Sequence, residues 1–419
     1  MHVWRVLSLV SPLGDHLSAR LFRDVARVLA GSVLQGGIRL VAAAVVAREG
    51  GPETQGGFAL AQSCVVTGAV VLGLGLDYAN MYFAGMKSER ASAIAAHSLL
   101  VAGGAALAGA LWAATFVHFV PQSVAGEVSH LLGVTLLAAA TGVLALQQST
   151  QAMALGLNRT LSVGLAGSVG ALAWLVLAAP SARAGGTALL VAWMTASLIP
   201  SAWHLSSVAR TAGIRADSTL LREQLAYGLR TVPAALFRSF NLRLTLFLTG
   251  AFLPLADVGV YGFVVTLAES VLVLPIALGQ VTLVVVAGGN YDPRRSRLPY
   301  FAAAAVPLLI GVACAIAGAR GLELIAGARY ASGAPALTVL LGAAALHGIG
   351  MIRLHQLMGA GRPMVASSAQ GVALLATAAG GFLLVPRWGM MGAAVTTLLT
   401  YTVFAAFLLR MPHPEPVRG

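Results

Sequence analysis

Long runs of apolar residues recur along the whole chain and constrain its fold more than any other feature. Only 10% of the residues are charged, which is too few to cover a soluble domain with polar surface. This excludes a soluble enzyme, a secreted module and a disordered protein. A bilayer-spanning helix needs about 20 apolar residues, and a window of that length finds about twelve candidates. They are 28–47, 57–77, 93–119, 129–152, 161–180, 186–208, 229–252, 257–287, 299–318, 334–355, 364–386 and 389–410.

Basic residues orient these predicted spans. The chain has 26 Lys and Arg against 14 Asp and Glu, a formal net charge of +12. Most of the basic residues fall in the loops that share a side with residues 1–27, and the opposite side is close to neutral. Cytoplasmic loops carry such an excess, so we expect a multi-pass protein of the inner (cytoplasmic) membrane with both termini in the cytoplasm. The same charge would attract anionic membrane lipids. No motif supports binding of nucleic acid.

The two halves of the sequence resemble each other. Pro52 and Pro254 precede similar glycine–aromatic turns, and Pro180 and Pro386 close equivalent spans, all at an offset of about 200 residues. With six spans in each half, both halves have the same orientation, which predicts a parallel repeat around a central cavity. The fold class is therefore an all-α polytopic membrane protein with two six-helix lobes. The predicted parts are an amphipathic N-terminal segment (1–27), an N-lobe (28–208), a cytoplasmic linker (209–228), a C-lobe (229–410) and a cytoplasmic tail (411–419).

Three arginines fall well inside the predicted spans, away from the span ends. Charged side chains near the bilayer centre are costly and usually functional. Arg39 lies near the middle of the first span, and Arg238 and Arg243 bracket the middle of the seventh. A guanidinium stays protonated and pairs in bidentate fashion with phosphate, so we expect these residues to bind an anionic head group in the cavity. The alternative is that they pair with Glu269 or with carbonyls in lobe packing.

Polar residues near these arginines complete the predicted site. Glu269 is either a residue that couples transport to a proton or ion, or a counter-ion to an arginine. Asp77 is placed with it as a second candidate, although its position also suits the membrane interface. Gln147, Gln148, Gln151 and Asn241 are candidate contacts to sugar hydroxyls, and the three glutamines could instead join helices. No spacing typical of a metal site occurs, and no cofactor is predicted.

Several short segments occur in a characteristic order over roughly residues 25–410. They are Arg48-Glu49-Gly50-Gly51-Pro52 with Gly57-Phe58, Gly73-Leu74-Gly75, Gly259-Val260-Tyr261 with Glu269, and Val385-Pro386-Arg387-Trp388-Gly389. Together they resemble the bacterial polysaccharide-biosynthesis flippases of the multidrug/oligosaccharidyl-lipid/polysaccharide exporter superfamily. The resemblance implies a twelve-helix exporter, with no enzymatic activity, whose basic cavity binds the head group of a lipid-linked oligosaccharide.

The predicted function is therefore the transfer of a polyprenyl-pyrophosphate-linked oligosaccharide (an O-antigen, exopolysaccharide or capsule unit) from the inner to the outer leaflet by alternating access. The expected partners are that lipid and the polymerase and glycosyltransferases of the same pathway. The alternatives are a cation antiporter of the multidrug and toxin extrusion type, a flippase for the peptidoglycan lipid precursor, and a membrane-embedded glycosyltransferase or polymerase.

Overall fold

The computed structural model describes residues 15–86, 88–119, 130–287, 297–360, 362 and 364–412, and in these residues it has helices and no β-strand. The helices are α1 (Asp15–Leu72), α2 (Leu76–Met86), α3 (Ala91–Phe119), α4 (His130–Gly156), α5 (Thr160–Ala184), α6 (Gly186–Ala212), α7 (Ser218–Phe252), α8 (Leu255–Ser270), α9 (Val273–Ala287), α10 (Arg297–Ala326), α11 (Ala334–Gly359) and α12 (Met364–Leu409). Two short 3₁₀ segments, Ser88–Arg90 and Ala328–Gly333, precede α3 and α11.

Helices α1 and α12 are hairpins. Gly51 interrupts α1 with φ of 72°, a conformation that glycine adopts easily. Val46 and Phe58, on either side of it, belong to one packed cluster, although a straight helix would separate them by about 18 Å. In α12, the Thr377 and Thr400 hydroxyls lie 2.9 Å apart, so the chain reverses between them. Each hairpin therefore contributes two membrane crossings.

The chain is a multi-pass membrane protein. Eight helical stretches in the described residues are long and apolar enough to cross a membrane, and two of these are the hairpins. Helices α4 and α7, with 27 and 35 residues, pack against α3 and α12 respectively and have the length to cross as well. The total is about twelve crossings, and the predicted all-α fold class is confirmed.

The crossings form two lobes with the same chain order. The N lobe consists of α1–α6, and the C lobe of α7–α12. The fifth and sixth crossings of each lobe turn at a glycine with positive φ, Gly185 (104°) in the N lobe and Gly389 (55°) in the C lobe. A proline lies inside the helix shortly before each turn, Pro180 or Pro386. The predicted parallel repeat is therefore confirmed.

The structure also describes part of the segments outside the lobes. Residues 1–14 and 413–419 of the predicted terminal segments lie outside the described residues. The predicted linker contains the end of α6, a short connection at 213–217 and the first turns of α7. The exact domain boundaries stay a prediction.

The second crossing of each lobe is broken, although the two breaks differ in position by a few residues of the repeat. In the N lobe, α1 and α2 are separated by a turn in which Leu74 and Gly75 have φ of 54° and 68°. In the C lobe, α8 ends at Ser270 and α9 begins at Val273. Pro275 explains this second break, because its ring lacks an N–H donor and would clash with the carbonyl group of Val271, four residues earlier.

The lobes touch at the end of the molecule that carries the turns at Gly51, Gly185 and Gly389, here called the Gly51 end. Gly56 of the N lobe packs against Gly259 of the C lobe. A Cβ atom on Gly259 would lie 1.8 Å from the Pro52 carbonyl oxygen, and one on Gly56 would lie 2.3 Å from that of Leu255. Only glycine allows two backbones to approach so closely. Gly56 and Gly259 occupy nearly equivalent positions of the repeat, so the contact lies close to the pseudo-symmetry axis.

Charged side chains surround this glycine contact. Arg329 lies 3.3 Å from Glu53 of the other lobe, and Arg48 donates to the carbonyl groups of Leu324 and Ile325 across the same junction. Exposed ion pairs contribute little to stability. The glycine contact is therefore the main steric feature of the junction between the lobes at the Gly51 end.

The lobes also touch near the break between α1 and α2, here called the Gly75 end. A Cβ atom on Gly75 would lie 2.3 Å from the carbonyl oxygen of Gly228 in α7. Next to this contact, the rings of Tyr82 and Tyr227 stack with centroids 4.7 Å apart. The cavities described below therefore lie between two sites at which the lobes meet.

A buried polar network fixes the first turns of α7 to the N lobe. His97 Nε2 accepts from the Asp217 N–H group at 3.2 Å, so the neutral ring carries its proton on Nδ1 and donates it to Gln224 Oε1. The Gln224 amide donates to Asn80 Oδ1 at 2.7 Å. Asn80, His97 and Gln224 are fully buried, where breaking one such bond strands its partner.

Candidate substrate cavity

A cavity of about 380 Å³ lies between the lobes. Helices α1, α4, α5 and α6 of the N lobe form most of its wall, and the C lobe contributes Arg243 of α7 and Thr266 of α8. Along α1, the lining residues Gln55, Phe58 and Gln62 recur at the spacing of a single helix face. The cavity thus has a continuous N-lobe wall and a small C-lobe contribution that includes one positive charge.

Arg39 supplies the second positive charge of this cavity. At 1.5 Å per residue it lies roughly 18 Å along α1 from the turn at Gly51, near the middle of the bilayer. Its side chain is exposed to the cavity and makes no hydrogen bond or ion pair with the described part of the chain. An arginine at this depth without a carboxylate partner is costly unless an anion binds it.

Arg243 has a carboxylate nearby. Its Nη2 lies 3.8 Å from Glu269 Oε2, and both side chains are partly exposed. This distance is longer than a good charge-assisted hydrogen bond. Glu269 also lines a small pocket inside the C lobe with Tyr261, Thr397 and Tyr401. The pairing therefore leaves part of the Arg243 guanidinium facing the main cavity.

A second cavity of about 450 Å³ adjoins the first towards the Gly75 end. Gln148 and Gln151 line both cavities and so mark the boundary between them. Arg238 and Asp77 line only the second, where Arg238 donates to the Tyr78 hydroxyl at 3.4 Å. The structure thus places Arg238 away from the other two predicted arginines, on the path towards the Gly75 end.

The fourth predicted sugar contact lies elsewhere. Asn241 is buried in the C lobe, where its amide donates to the side chain and backbone oxygen of Gln370 at 2.8 Å. Its Oδ1 accepts from the Thr377 hydroxyl at 3.2 Å. Asn241 does not line either of the two large cavities. The structure therefore brings together Arg39, Arg243, Gln148 and Gln151, and leaves Asn241 in a helix-packing position.

Several residues that line the main cavity were not predicted from the sequence. They are Gln55, Phe58, Gln62, Trp174 and Trp193, whereas Gln147, which the sequence did indicate, also lines it. The glutamines of α1 could have been found as a polar face on an otherwise apolar helix. Apolar aromatic residues in a membrane span carry no such signal, because packing against lipid or against another helix requires the same residue types. Their role depends on tertiary contacts that join α1, α5 and α6.

Solved structures share this fold. This chain superposes on the lipid II flippase MurJ in an inward closed conformation with a TM-score of 0.74 and 11% sequence identity. The superposition covers 91% of this chain and 86% of the MurJ chain. A multidrug resistance MATE family transporter of the MOP superfamily, inward-facing, gives a TM-score of 0.67 at 15% identity over 91% and 96%. The chain is also similar to a MOP superfamily transporter from Pyrococcus furiosus, whose binding pocket is described as having reverse polarity. The TM-score is 0.59 and the sequence identity 14%, over 96% of each chain.

No known family profile matches the sequence, and no curated protein sequence matches it. The chain therefore has the two-lobe fold of the MOP superfamily transporters, and identities this low establish the fold alone. The predicted resemblance is confirmed at that level. The substrate has to be argued from the residues of this chain.

Proposed function

We propose that this protein is a flippase that moves a polyprenyl-pyrophosphate-linked oligosaccharide between the leaflets of the cytoplasmic membrane. Arg39 carries the proposal, since it is a cavity arginine with no carboxylate partner in the described residues. A pyrophosphate would supply the missing counter-charge, and guanidinium groups match phosphate geometry. Arg243 of the other lobe faces the same cavity, so one head group can contact both lobes.

The remaining polar lining supports a neutral glycan attached to this head group. The glutamine amides at 55, 62, 147, 148 and 151 line the cavity, and none of their side chains makes a hydrogen bond within the described part of the chain. Amides can donate to and accept from sugar hydroxyls. The lipid tail would remain in the bilayer between the lobes, while the lobes rock to open the cavity on one side and then on the other.

A cation antiporter of the multidrug and toxin extrusion type is less compatible with this cavity. Export of an organic cation requires an unpaired carboxylate in the binding site. The large cavities contain Arg39, Arg238 and Arg243, whereas Glu269 faces Arg243 and Asp77 lies in the cavity of Arg238. The net charge of this set is positive and would repel a cation.

A flippase for the peptidoglycan lipid precursor is the second candidate. It is favoured by the superposition on MurJ, and its substrate would present the same pyrophosphate to Arg39. The two candidates differ in the glycan and not in the head-group chemistry. Under either one, we propose that the polymerase or glycosyltransferases of the pathway are functional partners and that both termini face the cytoplasm.

Reconstitution into liposomes tests the proposal. Purified protein is expected to accelerate the exposure of a fluorescent polyprenyl-pyrophosphate-linked disaccharide to an added lectin, and Arg39→Ala to abolish the acceleration. Arg222→Ala, an exposed arginine of the first turns of α7, is the matched control and should transport normally. Normal flipping by Arg39→Ala, or transport of ethidium instead of the lipid, would refute the proposal.

A further inference from the structure

Three aromatic rings form one part of the wall of the main cavity. The rings of Phe58 and Trp174 stack with centroids 5.5 Å apart, and Trp193 meets Phe58 edge to face at 6.2 Å. These residues come from α1, α5 and α6, and all three line the cavity. Here they are called the aromatic wall. Trp193 is only partly buried, so this ring offers surface to a ligand.

A polar atom without a partner lies beside this wall. Gln55 is one helical turn from Phe58, and its side chain is 5% exposed. Its Oε1 is buried and has no hydrogen-bond partner in the structure. A buried carbonyl oxygen without a partner is costly, and neither the Phe58 ring nor the indole N–H groups of Trp174 and Trp193 donate to it. Because Gln55 lines the cavity, a rotation of its side chain would bring this acceptor to a ligand hydroxyl.

The combination of ring faces and a hydroxyl acceptor fits one chemical class. A pyranose has an apolar face of C–H groups, which can lie against an aromatic ring, and a rim of hydroxyls, which need acceptors and donors. Phe58, Trp174 and Trp193 carry no charge that would pair with an ion, and a purely apolar group would leave Gln55 Oε1 without a partner. The structure therefore favours a neutral sugar at this place over a phosphate or an acyl chain.

We propose that the aromatic wall and Gln55 form a subsite for the sugar residue that is attached directly to the pyrophosphate. The inference rests on the proposed function and adds an orientation to it. Along α1, Phe58 lies closer than Arg39 to the turn at Gly51, by roughly 8 Å at 1.5 Å per residue. The head group thus binds at Arg39, and the first sugar extends from it towards the Gly51 end.

The subsite belongs to the N lobe. Gln55, Phe58, Trp174 and Trp193 all lie on N-lobe helices, whereas Arg243 reaches the head group from the C lobe. The sugar therefore stays with the N lobe when the lobes separate. Specificity for the first sugar comes from a single rigid wall, and Arg243 contributes only to recognition of the phosphates.

Equilibrium binding to the purified full-length protein in detergent micelles tests the subsite. The probes are a polyprenyl pyrophosphate and the same lipid carrying one N-acetylglucosamine or one galactose. The wild-type protein is expected to bind at least one of the two glycosylated lipids about 10- to 30-fold more tightly than the bare lipid. Gln55→Met and Trp193→Leu should remove this preference and leave the affinity for the bare lipid unchanged.

Control variants separate binding from folding. Trp203→Leu makes the same change at an exposed tryptophan that does not line the cavity, and it should retain the preference. Trp193→Phe retains a ring and should restore most of it. An unchanged affinity for the bare lipid shows in each variant that the cavity is intact.

The outcomes distinguish the two proposals. Equal affinity of the wild-type protein for the bare lipid and both glycosylated lipids would overturn the sugar subsite and leave the proposed function standing. Retention of the preference in both Gln55→Met and Trp193→Leu would also overturn the subsite. No binding of any of these lipids by the wild-type protein would overturn the proposed function, and the subsite with it.

Discussion

Addition of one methyl group at Gly259 is expected to prevent closure at the Gly51 end. A Cβ atom there would lie 1.8 Å from the Pro52 carbonyl oxygen and 2.9 Å from the Gly56 nitrogen. An ordinary contact needs 3.4 Å, so the two backbones must move apart by about 1.6 Å. Both neighbours are backbone atoms in helices, and neither can move aside as a flexible side chain would.

The energetic cost follows from overpacking of a rigid contact. Extra carbon in a close-packed site costs about 2 kcal/mol, and here the cost falls only on conformations in which the Gly51 end is closed. Since 1.4 kcal/mol corresponds to a factor of ten, Gly259→Ala should shift the equilibrium towards opening by about 30-fold. Under the proposed function, flipping should slow in proportion, because a protein held open at one end cannot complete a transport cycle.

Distance measurement between the lobes tests this reasoning. Spin labels are attached at Glu53→Cys and Arg329→Cys in a background that lacks the two native cysteines. They measure the distance between two positions whose side chains are 3.3 Å apart in the closed arrangement. Double electron–electron resonance on Gly259→Ala should show a larger population at long distance than the parent protein. Gly56→Ala, which places a Cβ atom 2.3 Å from the Leu255 oxygen, should behave in the same way.

The control variant is Gly342→Ala in α11, where an added Cβ atom meets no other atom within 4 Å. It should leave the distance distribution unchanged. A distribution in Gly259→Ala that equals that of the parent, together with normal flipping, would refute the reasoning. It would show that the glycine contact does not limit closure.

Three further predictions concern single buried or paired groups. Arg353 is 1% exposed and donates to the Met411 carbonyl group at 2.7 Å. Arg353→Met should therefore lower the free energy of unfolding by about 3 kcal/mol. Thermal unfolding in detergent should show a lower midpoint, and an unchanged midpoint would contradict this. Glu269→Gln removes the carboxylate facing Arg243 and should strengthen pyrophosphate binding by roughly 3- to 10-fold in calorimetry; weaker binding would show that the carboxylate has another role. Gln224→Leu strands the buried partners Asn80 and His97 and should cost about 2 kcal/mol; limited proteolysis at residues 213–217 would detect the release of α7, and protection equal to the wild type would argue against the network.

Much of the fold could be predicted from the sequence, because a bilayer permits few backbone solutions. Apolar runs of sufficient length have to form helices, and twelve of them in two similar halves predict two lobes. The break between α8 and α9 could also be predicted, because Pro275 is the third residue of α9 and proline can interrupt a helix. Both hairpin turns could also be predicted. The predicted spans end at residues 47 and 386 and resume at 57 and 389, and the backbone leaves the helical conformation at Gly51 and Gly389.

The candidate site was only partly predictable. Arg39 and Arg243 stand out because charge inside a membrane is rare. The repeat places Arg39 opposite Asn241, two residues from Arg243, and so predicts both arginines at a similar depth. The sequence relates Arg238 to them by depth and Asn241 by its equivalence to Arg39 in the repeat, and neither relation specifies the direction of a side chain. Arg238 faces the second cavity, and Asn241 binds Gln370 within the C lobe. The aromatic wall was not predictable, because its three rings come from three helices.

Under the proposed function, residues 52–72 of α1, which follow the turn at Gly51, connect substrate recognition to closure of the Gly51 end. Gln55 and Phe58 face the cavity, while Gly56, between them in sequence, packs against Gly259. A ligand can shift a conformational equilibrium only as far as it binds the two states differently. A pyrophosphate held by Arg39 of one lobe and Arg243 of the other has this property, because separation of the lobes at the cavity removes one of its two cationic partners. A sugar bound to the N-lobe wall alone lacks it. In the proposed transport cycle, the head group therefore drives the change between conformations, and the first sugar determines which lipid is accepted.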